Sequence, residues 1–206
     1  GVEIAAGRLV QAPATDAADD MDLAWSAGGA VGGTTVTTGT SLTITKDQYK
    51  EGWLYVNDDA GEGCIYPIKS NTAVTSAAGC VFTIDEEDGF AIALTSTSSL
   101  FGVVYNIYDG VIVQPTTITN AAVGVSPTTM TASYYGWVQT WGPCALLDTG
   151  ASWVVGDQLA SAETGAAGAA ILLDSSGAPD NQSIGYSMYI VPATTDFGFM
   201  MLTIAP

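Results

Sequence analysis

Histidine is absent from this 206-residue chain, and lysine and arginine together number four: Arg8, Lys46, Lys50 and Lys69. A chain without imidazole lacks the commonest general base, the usual activator of serine and cysteine nucleophiles, and the commonest metal ligand. Triads built on histidine are excluded outright. The scarcity of cations excludes more. Set against 21 carboxylates, the four leave a formal net charge of −17. That charge opposes nucleic acid, whose affinity comes largely from cations neutralising phosphate, and it opposes docking on an anionic membrane surface.

Long apolar runs are missing too. The most apolar region, Leu100 to Val113, is broken by Asn106 and by Asp109-Gly110, short of the ~18 residues of a membrane span. No basic segment leads into an apolar one, so no signal peptide is predicted. Neither a P-loop nor a Gly-x-Gly-x-x-Gly between strand and helix occurs. The three cysteines, Cys64, Cys80 and Cys144, are odd in number and lack metal-binding spacing. Buried free thiols are expected; a Cys64–Cys80 bridge would require the flanking strands to pair in the right register.

What is present is Gly, Ala, Thr and Val with scattered aromatics. Charged residues make up 12% of the chain and hydrophobic ones 48%, whereas an ordinary soluble domain is about 25% charged. Thr, Ser, Gly, Ala and some apolar groups must therefore cover much of the surface. Large apolar patches seldom stay uncovered on monomers, so the composition points to a subunit of an assembly.

Short β-like runs separated by turn residues predict an all-β fold. The clearest runs are Trp53–Val56, Cys64–Ile68, Val81–Ile84, Ala91–Leu94, Leu100–Tyr105 and Val111–Val113. Tyr134–Thr140, Ala145–Leu147, Trp153–Val155, Ile184–Val191 and Phe199–Ile204 follow in the second half. Turns are expected at Asn57–Gly61, Asp85–Gly89, Asp148–Gly150 and Asp174–Gly177. The Ala-rich Leu159–Leu173 is the best helix candidate, but Gly165 and Gly168 weaken it and much of the segment is expected to be loop. From Asp109 onward there is no Lys or Arg, and Glu3–Pro13 has a similar texture. The expected organisation is a β-barrel or sandwich of residues 1–24 plus 109–206, with residues 25–108 as an inserted β-subdomain.

Three groups of residues carry candidate chemistry. Leu146-Leu147-Asp148-Thr149-Gly150-Ala151 resembles the active-site loop of retropepsin-type aspartic proteases, in which the Asp of two subunits share a proton. No Gly-rich flap or downstream apolar-apolar-Gly-Arg segment accompanies it, and Asp-Thr-Gly also suits a plain hairpin turn whose Asp accepts a backbone N–H. Asn57, Asp58, Asp59 and Glu62, and separately Asp85 to Asp88, offer oxygen ligands for Ca²⁺ without EF-hand spacing. Solvated turns are the simpler reading, and no metal or other cofactor is expected. Finally, Tyr134, Tyr135, Trp137 and Trp141, with Trp153 further on, could form a sugar-stacking platform. In a strand, however, Tyr135 and Trp137 would share one face and Tyr134 the other. Packing in a core or at an oligomer or lattice interface is favoured, since Tyr and Trp are enriched in both.

Longer phrases carry a resemblance. Asn106-Ile107-Tyr108-Asp109-Gly110, Gln114-Pro115-Thr116-Thr117, Val123-Gly124-Val125-Ser126-Pro127 and Tyr134-Tyr135-Gly136-Trp137-Val138-Gln139-Thr140-Trp141-Gly142-Pro143-Cys144 are similar to the capsid decoration, or cement, proteins of tailed bacteriophages. Val155 to Leu159, Gly165 to Gly168, Ile184 to Leu202 and, upstream, Gln48 to Asp58 and Gly63 to Ile68 continue the likeness, which covers most of the chain from Gln48. The resemblance implies a non-enzymatic protein that binds the major capsid protein lattice and stabilises the head. It also implies a homotrimer over local three-fold positions, on the outer capsid surface of a virion assembled in the host cytoplasm. Asp148-Thr149-Gly150 falls where such proteins carry a variable Asp/Gly hairpin. The competing readings are an aspartic protease acting through Asp148 and a carbohydrate-binding β-module.

Overall fold

A computed structural model describes residues 1–95, 98–173, 182–191 and 196–205. Strand β1 (Leu9–Gln11) is followed by a short helix α1 (Ala17–Asp20), then β2 (Leu23–Gly28), β3 (Thr35–Thr38) and β4 (Leu42–Ile44). The chain continues through β5 (Trp53–Asp58), β6 (Ile65–Asn71), β7 (Val74–Ala77), β8 (Val81–Ile84) and β9 (Leu100–Val104). Next come β10 (Ile112–Val113), β11 (Ala122–Val125), β12 (Trp141–Leu147) and β13 (Gln158–Ser161). The last strands are β14 (Ala170–Leu172), β15 (Ser183–Ser187) and β16 (Phe197–Thr203). The protein is all-β, as its composition and turn spacing predict.

It divides into two compact units. Gly1–Ala14 and Ile107–Pro206 form one, and Thr15–Asn106 form the other. A boundary at residues 24/25 would cut through β2, which belongs wholly to the inserted unit.

The inserted unit is a closed barrel in the order β2-β3-β8-β6-β5-β9, with β9 returning to β2. Period-2 alternation builds it. Leu54 and Val56, Tyr66 and Ile68, Phe82 and Ile84, and Phe101 and Val103 all point into one core. Trp53, Tyr55, Ile65 and Pro67 are left outward. Helix α1 is N-capped by Asp16 and buries Asp20. The Tyr49 hydroxyl donates to Asp20 Oδ1, and the Asp16 N–H donates to Oδ2 at 2.7 Å.

The other unit holds a three-stranded sheet, β10-β1-β11, and a five-stranded one, β12-β16-β15-β13-β14. Of the two forms expected there, open sheets replace a fully paired barrel. An isolated parallel bridge, Asp148↔Ala170, nonetheless ties the end of edge strand β12 to edge strand β14. Inside lie Leu9, Val125, Leu146, Trp153, Leu159, Ile184, Met200 and Leu202.

The open edge of β12 is covered in another way. Pro143 has no N–H to offer, and Gln139 Nε2 donates to the carbonyls of Trp141 (3.0 Å) and Pro143 (2.9 Å). The Leu147 N–H bonds to the Gly7 carbonyl at 3.0 Å.

Several local expectations fail. Leu159–Leu173 holds no helix: its middle, 162–169, is a loop with both glycines at positive φ, and its ends pair as β13 and β14. Ala91–Leu94 is not a strand, and Trp153–Val155 contributes only a bridge, Trp153↔Val191. Tyr134–Thr140 is a loop with one bridge, Val125↔Gln139. The turn expected at 174–177 lies outside the described residues.

Candidate docking surface

The segment between Met130 and Trp141 is fixed at both ends. Ile4 and Met130 exchange backbone hydrogen bonds of 3.0 and 2.8 Å, as do Val125 and Gln139 at 2.9 and 2.8 Å. Between these clamps the Tyr134 N–H bonds to the Thr131 carbonyl at 3.1 Å. Gly136 passes so close to the Met130 side chain that a methyl group there would collide with it, and Val138 turns in against Gly124. The loop spends its small residue and its valine on the inside. Tyr134, Tyr135 and Trp137 are left outside, at 77, 105 and 84% exposure.

Packing of these three rings in the core, one of the readings their sequence allowed, is therefore excluded. The face argument fails as well, because the residues are not in a strand. Trp141 stands apart from them, half exposed on the outer side of β12. Trp153, the fifth aromatic of the sequence pattern, is fully buried.

A second apolar surface was missed at the level of sequence. β12 exposes Trp141, Pro143 and Ala145, and β16 exposes Phe197 and Phe199 with Met201 half-buried beside them. Register places Ala145 opposite Phe199, and Met201 between Pro143 and Tyr186 of β15. The signal was ambiguous because Phe197-Gly198-Phe199-Met200-Met201-Leu202 is apolar at both parities, so alternation could not say which face lies outside.

Asp148 is completely buried. It does not sit in a hairpin between β12 and Trp153, because the antiparallel partner of β12 is β16. Instead its N–H bonds to the Asp196 carbonyl at 2.8 Å and the following Thr149 N–H to the Ala170 carbonyl at 3.3 Å. Burial pushes the carboxyl above the usual carboxylate range; the nearby N–H groups of Gly150, Ala151, Thr149 and the Trp153 indole pull the other way. None of them reaches hydrogen-bonding geometry on either oxygen. An aspartic dyad needs two such carboxyls in contact, whereas this one is enclosed within its own unit.

The acidic turns are held by their own chain. Asn57 Nδ2 donates to Asp22, Thr95 Oγ1 donates to Asp59 at 3.2 Å, and Asp85 pairs with Lys69 at 3.4 Å. Among the described residues no three of His, Cys, Asp or Glu converge as a metal site would require. Cys64, Cys80 and Cys144 are free thiols, and burial pushes Cys144 up to about 11. Two cavities, of about 260 Å³ beside Gly7 and Phe197 and about 280 Å³ beside Lys46 and Asn71, fall below the ~300–1,000 Å³ of small-molecule sites.

Compared with family models, curated proteins and solved structures, the chain matches none.

Proposed function

We propose that this chain is a non-enzymatic capsid decoration protein of a tailed bacteriophage, which binds the major capsid protein lattice and stabilises the head. The observation that carries the reading is the clamped 131–140 loop, which holds Tyr134, Tyr135 and Trp137 out from an otherwise acidic protein. Trp and Tyr dominate interface hot spots, and a loop already fixed in place loses little entropy when it docks. The likeness of the surrounding sequence to decoration proteins names the lattice as the partner. Shells stripped of the protein should rupture at lower temperature and recover when it is added back. Trp137→Ala should abolish the recovery while leaving the fold intact. Equal stability of bare and decorated shells would refute cementing.

The same exposure favours a second reading, a glycan-stacking platform. A glycan array probed with the parent chain and with Trp137→Ala separates the two. Retention on a sugar, lost in the variant, together with no attachment to shells, would favour the carbohydrate-binding module.

A further inference from the structure

Across β12, β16 and β15 the outer face of the five-stranded sheet is contiguous and, among the described residues, uncharged. Its aromatic members Trp141, Phe197, Phe199 and Tyr186 are 48, 51, 47 and 44% exposed, and backbone register sets Pro143, Ala145 and Met201 among them. A fully buried aromatic side chain removes about 150–250 Å² from water, so the four rings leave roughly 400 Å² of aromatic surface open. A standard interface covers about 800 Å² per partner, of which somewhat over half is non-polar. The face thus supplies about the apolar share of one side of such an interface.

We infer that this face is where a second copy of the chain docks, face to face. The occupant follows from charge as well as area. Each chain carries −17, so two copies can approach closely only through a surface that bears none of that charge. The outward positions of β12 and β16, and Tyr186 of β15, include no carboxylate, lysine or arginine. Carboxylates stand just beyond, with Asp196 preceding Phe197 and Asp157 preceding Gln158, which pairs with Tyr186. Edge-to-edge pairing through β12, the strand that carries Trp141, Pro143 and Ala145, is blocked by Pro143 and the Gln139 amide. The proposal deepens the reading of the protein as an assembly subunit but uses a surface other than the Tyr134–Trp137 loop.

Sedimentation of the full chain over a concentration series reaching about 100 μM tests it, at low and at high salt. The parent should self-associate, and more tightly at high salt, where the Asp157 and Asp196 repulsion is screened. Phe199→Glu should weaken association at least tenfold. Ala145→Glu, which removes no packed side chain, should do the same, and its circular dichroism should match the parent. Trp137→Ala should associate like the parent. A parent that stays monomeric at both salt concentrations overturns the inference, as does a folded Ala145→Glu that associates normally. Loss of association in Trp137→Ala overturns it too, because the loop would then join the copies. Failure of the lattice reading shows separately, as an intact dimer that does not bind shells.

Discussion

The ring of Trp153 lies against Gly198, on the inner face of β16, in the space where any other residue's side chain would begin. Trp153 is fully buried, so neither partner can shift into solvent. Gly198→Ala should therefore destabilise the unit by about 1–3 kcal/mol through overpacking, and Trp153→Ala by about 3–5 kcal/mol. Denaturant unfolding of Gly198→Ala/Trp153→Ala should show less loss than the sum of the two single changes. Strict additivity would mean that the two residues do not interact.

Trp137→Ala should change unfolding free energy by no more than about 0.5 kcal/mol, as for an ordinary surface position. A loss of several kcal/mol, which its aromatic character alone would suggest, would show that the ring is packed after all.

Asp148 and Asp20 are both buried acids whose carboxyls burial holds above the usual range. A raised carboxyl binds its proton more readily in the folded state. Stability therefore falls as pH rises from the ordinary carboxylate value near 4 through the raised one. Asp148→Asn places a neutral amide in the same space. It should be more stable than the parent at pH 7, by on the order of 1 kcal/mol, with the advantage fading on acidification. Thermal melts across this range decide it. A variant less stable than the parent at neutral pH would show that the surrounding N–H groups hold the charged form well.

Tyr49 is pushed upward by burial and by its hydrogen bonds to Asp20 and Tyr105. Its phenol should stay protonated in the native barrel at pH values where exposed tyrosines ionise, and titrate only on unfolding. Tyr49→Phe should cost about 1–3 kcal/mol, because Asp20 would keep only the Asp16 N–H. Ultraviolet titration, with the Phe variant as reference, checks both. Ionisation of all tyrosines in one step near pH 10 would contradict the buried pair.

Strands of the inserted unit were legible in sequence where one parity was apolar and the other was not, but their closure into a barrel was not, since the barrel was expected in the other unit. Leu54 and Val56 point inward, and turn residues such as Gly61 and Asp85 bound the neighbouring strands. The docking surfaces were half legible. Tyr134, Tyr135 and Trp137 stood out by type, but their exposure depends on the Gly136–Met130 and Gly124–Val138 contacts, which join residues by packing rather than by periodicity. Phe197 and Phe199 could not be told from core for the reason that both parities of β16 are apolar. Asp148-Thr149-Gly150 looked like a turn because its residues suit one. Only the pairing of β12 with β16, some fifty residues later, reveals it as a buried junction.

The pairing of β1 with β10 and β11 has a consequence in time. Val10 lies opposite Val113 and Gly124, so the first strand leaves the ribosome about a hundred residues before its partners. At ~5–20 residues per second, Leu9 and Val10 stay uncovered for roughly 5–20 s while the inserted barrel, whose strands are all neighbours within Thr15–Asn106, is completed. The barrel can thus fold first, and the final capture of β1 sets when the nascent chain stops exposing that apolar strand.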